Sequence, residues 1–149
     1  MTTITKPDYR ARTAIMLSAT IVAIAAGIVN ALIALGAVAL GAEVAGGLQP
    51  VAYLTFTVIA AIAGAAGWHI INRYARRPAN IINRYARRPA NIMRWLAPAF
   101  LAVSFIPDIA VGVTMGWLVA GSLMLMHVAT ISIAVVTYRR LMPLRSGKS

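Results

Sequence analysis

Few side chains in this chain could do chemistry: three acids, two histidines and no cysteine. Two of them stand inside long apolar segments. Asp108 follows Pro107 in one, and His127 lies in the next. An ionisable group within hydrocarbon is costly and usually marks an ion path, a proton relay or a buried pair. At about 1.5 Å per residue, Asp108 lies ~20 Å along its segment from Trp95. His127 lies ~15 Å from Trp117 by the same count. Only a short turn separates the two segments, so they are antiparallel neighbours, and their depths allow a direct or water-bridged contact between the side chains. Together they could relay a proton or bind a cation. Pro107 removes a backbone donor and frees the carbonyl of Val103, which favours a small hydrated pocket beside Asp108. The alternatives are structural. Asp108 then snorkels to headgroups, and His127 is a neutral ring bonded to a backbone carbonyl, to Ser104 or to Thr130. Asn30, the third candidate polar residue, is read as a hydrogen-bonding link to another helix.

Nothing else in the sequence points to catalysis. There is no G-x-S-x-G elbow, no H-E-x-x-H and no phosphate-binding glycine loop. Three acids and two histidines dispersed along the chain make no convincing metal site. The absence of cysteine excludes disulfides and thiolate chemistry. We therefore expect no enzyme and no cofactor.

The elements that must position these residues are apolar runs. The chain is 60% hydrophobic and 11% charged, where soluble domains carry about 25% charged residues. The runs are 14–40, 51–71, 95–113 and 117–138. A spanning helix needs about 20 apolar residues, and the first, second and fourth runs qualify outright. The third contains Asp108, Pro98 and Pro107. Its nine large apolar residues favour insertion by about 3 to 5 kcal/mol, while a central Asp opposes it by about 2.5 to 3.5. The expected fold is an all-α membrane protein, a single antiparallel bundle of four transmembrane helices.

The net charge of +11 does not indicate nucleic acid, because the basic residues cluster between the apolar runs rather than along one face. Lys6, Arg10 and Arg12 precede the first run. Arg73, Arg76, Arg77, Arg84, Arg87, Arg88 and Arg94 fill the connection 72–94, and Arg139, Arg140, Arg145 and Lys148 follow the last. The other two connections have none. The positive-inside rule then places both termini and the middle loop in the cytoplasm, with the bundle in a bacterial plasma membrane. The seven loop arginines are expected to contact anionic lipid headgroups, each contributing about 1 kcal/mol. The rings of Trp68, Trp95 and Tyr138 fall at the inner interface on this reading, and those of Tyr53 and Trp117 at the outer one. In the second run Ala60, Ala63, Gly64 and Gly67 form a small-residue face suited to close helix approach.

The basic loop also holds a tandem repeat. Ile70–Asn80 and Ile81–Asn91 both read IINRYARRPAN. Identity this complete indicates a recent duplication or a constructed one. A solvated loop absorbs such an insertion at little entropic cost. The second copy could form a short interfacial helix after Pro78, with Ile81, Ile82, Tyr85 and Ala86 on one side and its arginines on the other.

Three short motifs carry a family resemblance: Phe-Ile-Pro-Asp at Phe105–Asp108, Leu-Met-His at Leu125–His127, and Arg-Arg-Leu at Arg139–Leu141. With the span order, they make the chain resemble a family of small four-helix membrane proteins of high-GC Gram-positive bacteria, a domain of unknown function. The resemblance covers about residues 10–142. It implies the fold and a membrane location and supplies no activity. The repeat departs from the family's single short inner loop. Arginine outnumbers lysine 12 to 2, a bias that fits a GC-rich genome. The expected function is that of a non-enzymatic structural or accessory membrane component, with lipid and a homo-oligomer or membrane protein as partners. The alternative is a small oligomeric proton- or ion-linked transporter or channel using Asp108 and His127.

Overall fold

The computed structural model describes residues 9–44, 46–74 and 89–143, without side chains at 10, 11, 74 and 89–94. These residues form four long helices: α1 (Tyr9–Ala39), α2 (Pro50–Tyr74), α3 (Pro89–Met115) and α4 (Trp117–Leu141). All four are long and apolar enough to cross a membrane.

Local chemistry explains where they begin and stop. Proline opens both α2 and α3, at the helical position where a missing N–H costs nothing. The Gln49 carbonyl accepts from the amides of Ala52 and Tyr53, starting α2. α1 ends on Gly41 at φ +97°. There the Ala42 amide donates to the Ala37 carbonyl and the Gly41 amide to that of Val38, both at 2.9 Å, which is a Schellman closure. A single residue, Gly116 at φ +95°, joins α3 to α4. α4 stops at Met142, before Pro143, with Arg139 and Arg140 in its last turn, where cations suit the exposed carbonyls.

The packing inverts the arrangement of a water-soluble bundle. The buried positions are mostly small: Ala19, Ala26, Ala34, Ala37, Ala61, Ala65 and Ala120. Ile21, Ile24, Ile28, Leu32 and Leu35 of α1 stand exposed instead. Water would not tolerate so wide an apolar surface. Lipid does, and close approach of helices through small residues is how bundles hold together there. α1 packs on both α2 and α4, whereas α3 packs on α4. The most apolar window of α3 is only 11% buried, against 33% for α1.

Two apolar clusters lie at opposite ends of the bundle. One joins the start of α1 to the ends of α2 and α4 through Ala19, Val22, Ala61, Ala65, Trp68, Tyr138 and Met142. The other joins the end of α1 to the start of α4 through Ala34, Ala37, Leu48, Val119, Leu123 and Met126.

Two points of packing go beyond the sequence pattern. Trp68 and Tyr138 lie at the basic end of the bundle, as inner-interface rings would, yet they are buried in its core. Their ring centroids are 5.9 Å apart. The Trp68 Nε1–H donates to the Met142 carbonyl at 2.8 Å and the Tyr138 hydroxyl to the Ala61 carbonyl at 2.6 Å. With their polar ends satisfied by backbone, the rings need no headgroup water. Trp95 and Trp117 do stand exposed. The close face of α2 is also not the one expected. Ala60 and Ala63 face outward, and nothing approaches Gly67. Ala61, Ala65 and Trp68 face inward, and a Cβ on Gly64 would lie 3.0 Å from the Tyr138 hydroxyl.

α2 continues through Ile70–Tyr74 of the first repeat copy, and α3 opens on Pro89–Asn91 of the second. The suggested helix over 81–88 lies outside the described residues. So do Arg76, Arg77, Arg84, Arg87 and Arg88, and the side chain of Arg94.

Candidate functional site: a polar layer at mid-depth

Each helix carries polar side chains within its apolar length. α1 supplies Asn30, α2 Thr57, α3 Ser104 and Asp108, and α4 His127 and Thr130. Ser and Thr close most of their hydroxyls on their own helix, as they commonly do in apolar surroundings. The Thr57 hydroxyl donates to the Tyr53 carbonyl at 2.6 Å and the Ser104 hydroxyl to the Leu101 carbonyl at 2.8 Å.

Asn30 ties three helices together. Its Nδ2 donates to Thr57 Oγ1 at 2.9 Å and to Thr130 Oγ1 at 3.1 Å. Asn30 is itself buried, and its Oδ1 has no hydrogen-bond partner. Both donors of the amide are thus used and its acceptor is idle.

On the other flank of α4, Asp108 and His127 meet. His127 Nδ1 lies 2.9 Å from Asp108 Oδ2. The separation is that of an ion pair, yet its direction falls short of a hydrogen bond, so both atoms stand without one. Asp108 is only 4% exposed, which rules out a carboxylate snorkelling to headgroups. The His127 side chain is 39% exposed, so the pair has a closed side and an open side. Phe105, one turn before Asp108, sets its ring edge-on to the imidazole at a centroid distance of 6.4 Å. Neither proposed local partner serves His127. Ser104 is engaged with Leu101, and Thr130 receives Asn30. Proximity across the one-residue turn decides this pairing.

Gly112, one turn beyond Asp108, lets α3 come this near. A Cβ there would lie 2.7 Å from the Trp117 ring and 3.2 Å from Ala120 Cβ. The sequence reading missed Gly112 and the partners of Asn30. A glycine inside an apolar run is ambiguous until its neighbour is known.

Chemically, the pair can hold one proton while remaining neutral overall. The proton sits on the carboxyl with a neutral imidazole, or on the imidazole facing a carboxylate. Among the described residues no three His, Asp or Glu side chains gather as a metal site would need. Arg73 on α2 and Arg139 and Arg140 on α4 are exposed at the end of the bundle that carries the first apolar cluster.

Comparison with known proteins finds a family match over residues 10–143. The family's description assigns it no activity. No curated protein and no solved structure matches the chain.

Proposed function

The chain belongs to DUF6069, a family of unknown function, and from that membership and the fold we propose a non-enzymatic plasma-membrane protein that crosses the bilayer four times with both termini cytoplasmic. The observation that carries this reading is charge asymmetry. Arg12, Arg73, Arg139 and Arg140 all lie at helix ends on one side of the bundle. The turns at the opposite side, Leu40–Gln49 and Gly116, contain no basic residue. The side rich in Lys and Arg faces the cytoplasm in most membrane proteins. The arginines of the connecting loop, Arg73, Arg76, Arg77, Arg84, Arg87, Arg88 and Arg94, would then meet anionic headgroups. The arginine-rich composition agrees with an origin in high-GC Gram-positive bacteria. On this reading the protein serves as a structural or accessory component, packing against copies of itself or against another membrane protein.

The chain has no cysteine, so single-cysteine labelling tests the orientation against a clean background. Glu43→Cys should react with an impermeant maleimide in intact cells, and Ser149→Cys only after lysis. The reverse pattern would sink the proposed orientation. Purification in mild detergent should yield a homo-oligomer or a defined complex, and a monomer without partner counts against the accessory role.

A second reading has its own support. A buried carboxylate 2.9 Å from a half-open imidazole suits a small oligomeric proton- or ion-linked transporter or channel. Proteoliposomes under a pH gradient should then show flux that Asp108→Asn abolishes. Flux that persists in the variant would remove these two residues from the mechanism.

A further inference from the structure

We propose that Asp108 and His127 form a one-proton binding site that fastens α3 to the rest of the bundle and releases it when the proton is lost. The inference rests on the bundle being embedded in a membrane, and it requires neither the orientation nor the transport reading.

Geometry makes α3 the helix to move. Its main packing partner is α4. It is joined to α4 by one residue, Gly116, which serves as a pivot. Near that pivot Gly112 meets Trp117 and Ala120 closely. Farther along, the Asp108–His127 contact is the one polar link between α3 and α4 among the described side chains. From there back to Trp95 most of the helix surface is uncovered. A break at the pair would swing the Pro89 half away while the Gly116 end stayed in place.

Among the described residues no other group competes for the pair's charge. The described spans carry no further acid, and their basic residues lie at the helix ends. Glu43 lies in a turn, and His69 sits one residue from Trp68 in the cluster at the basic end. The Tyr138 hydroxyl is committed to Ala61, and Tyr53 packs in the opposite cluster.

Proton counting fixes the direction of the switch. Closed, the pair keeps one proton and is neutral, because a lone buried charge is far more expensive. Open and hydrated, the two groups are parted and nothing makes them share the proton. In alkali the open state therefore holds no proton while the closed state holds one. Opening releases that proton, and rising pH drives it. The closed side of the pair belongs to Asp108 and the open side to His127, so the proton exchanges along the imidazole edge.

The experiment is a spin-label distance between Ala99→Cys on α3 and Val136→Cys on α4. Both positions are exposed, both lie toward the basic end, and the background has no native cysteine. The full chain in lipid nanodiscs is titrated from about pH 5 to 9. A fixed, short distance is expected at the acid end of the range, giving way to longer and broader distances toward the alkaline end. Asp108→Asn reverses the sign. Its closed state has a neutral imidazole and its open state gains a proton in acid, so alkali no longer opens it. His127→Asn leaves a lone carboxyl, and opening then begins at a lower pH than in the wild type. A wild-type distance that stays constant over the whole range overturns the proposal. So does alkaline opening that survives in Asp108→Asn or keeps its midpoint in His127→Asn. The wild-type titration decides the matter by itself if either variant fails to fold.

Discussion

Asn30 shows how a buried polar residue can be both a link and a liability. Its two hydrogen bonds reach α2 and α4, and bonds of this kind inside membranes average about 0.6 kcal/mol. Its idle Oδ1 opposes them, since an unmatched buried acceptor costs about 1 to 3 kcal/mol. The two effects nearly cancel. Asn30→Leu should therefore change stability by less than about 1 kcal/mol, despite the loss of both bonds. Asn30→Ala should cost about 2 kcal/mol more than Asn30→Leu, because it also opens a cavity. Thermal unfolding in detergent compares the two. Equal losses of several kcal/mol in both would mean that the three-helix bond network outweighs the orphan acceptor. At this scale the sequence was legible in part. Asn30, Asp108 and His127 stood out because polar side chains inside apolar runs are rare. Their partners did not, because Thr57, Thr130 and Gly112 are ordinary residues there, and contact depends on how each helix is rotated.

Among the helices, the hairpin of α3 and α4 carries the most specific backbone demands. Gly116 has φ +95° and ψ 150°, a region that essentially only glycine occupies. Gly116→Ala should cost about 1 to 3 kcal/mol. Gly112→Val adds bulk where Trp117 and Ala120 already stand and should push the helices apart at a similar cost. Gly36→Ala is the control. Nothing lies within 4 Å of a Cβ there, so higher helix propensity should leave it neutral or stabilise it by up to about 1 kcal/mol. If all three behave alike, the turn geometry is not what constrains the hairpin. Helix existence was legible from the apolar runs. Helix ends were less so: α1 and α3 begin before the apolar runs that start at residues 14 and 95, and α2 and α4 continue beyond residues 71 and 138. Hydropathy marks what lipid accepts, whereas a helix persists as long as its backbone bonds and caps do. The inward faces of α2 were misread because Ala60 and Ala61 look alike in composition. Only Tyr138, pressing on Gly64, distinguishes the two faces.

For the whole molecule, the duplicated segment is the plainest test of what the fold requires. Deleting Ile81–Asn91 brings Asn80 directly before Ile92. Because the copies are identical, α3 would still open on Pro-Ala-Asn, now Pro78–Asn80, and α2 would keep Ile70–Tyr74. The connection shortens without changing the residues at either helix junction. The deletion should keep its thermal stability and its labelling pattern. It retains Arg73, Arg76, Arg77 and Arg94, enough to hold the positive-inside bias. Loss of the folded bundle would show that the second copy has a structural duty.

The single-residue turn at Gly116 bears finally on how the protein is made. By itself, α3 is a poor candidate for release from a translocon into lipid, with two prolines and an acid along its length. α4 follows it at once and carries the imidazole that lies 2.9 Å from that acid. Synthesis would thus commit the two helices together, α3 waiting in the lateral gate until the chain through His127 has emerged. In a chain truncated after Met115, a cysteine placed in the third segment by Val103→Cys should react with an aqueous maleimide, while in one extended through Leu141 it should not. Protection of that cysteine in the shorter chain would mean that the third segment enters the bilayer without help from its neighbour.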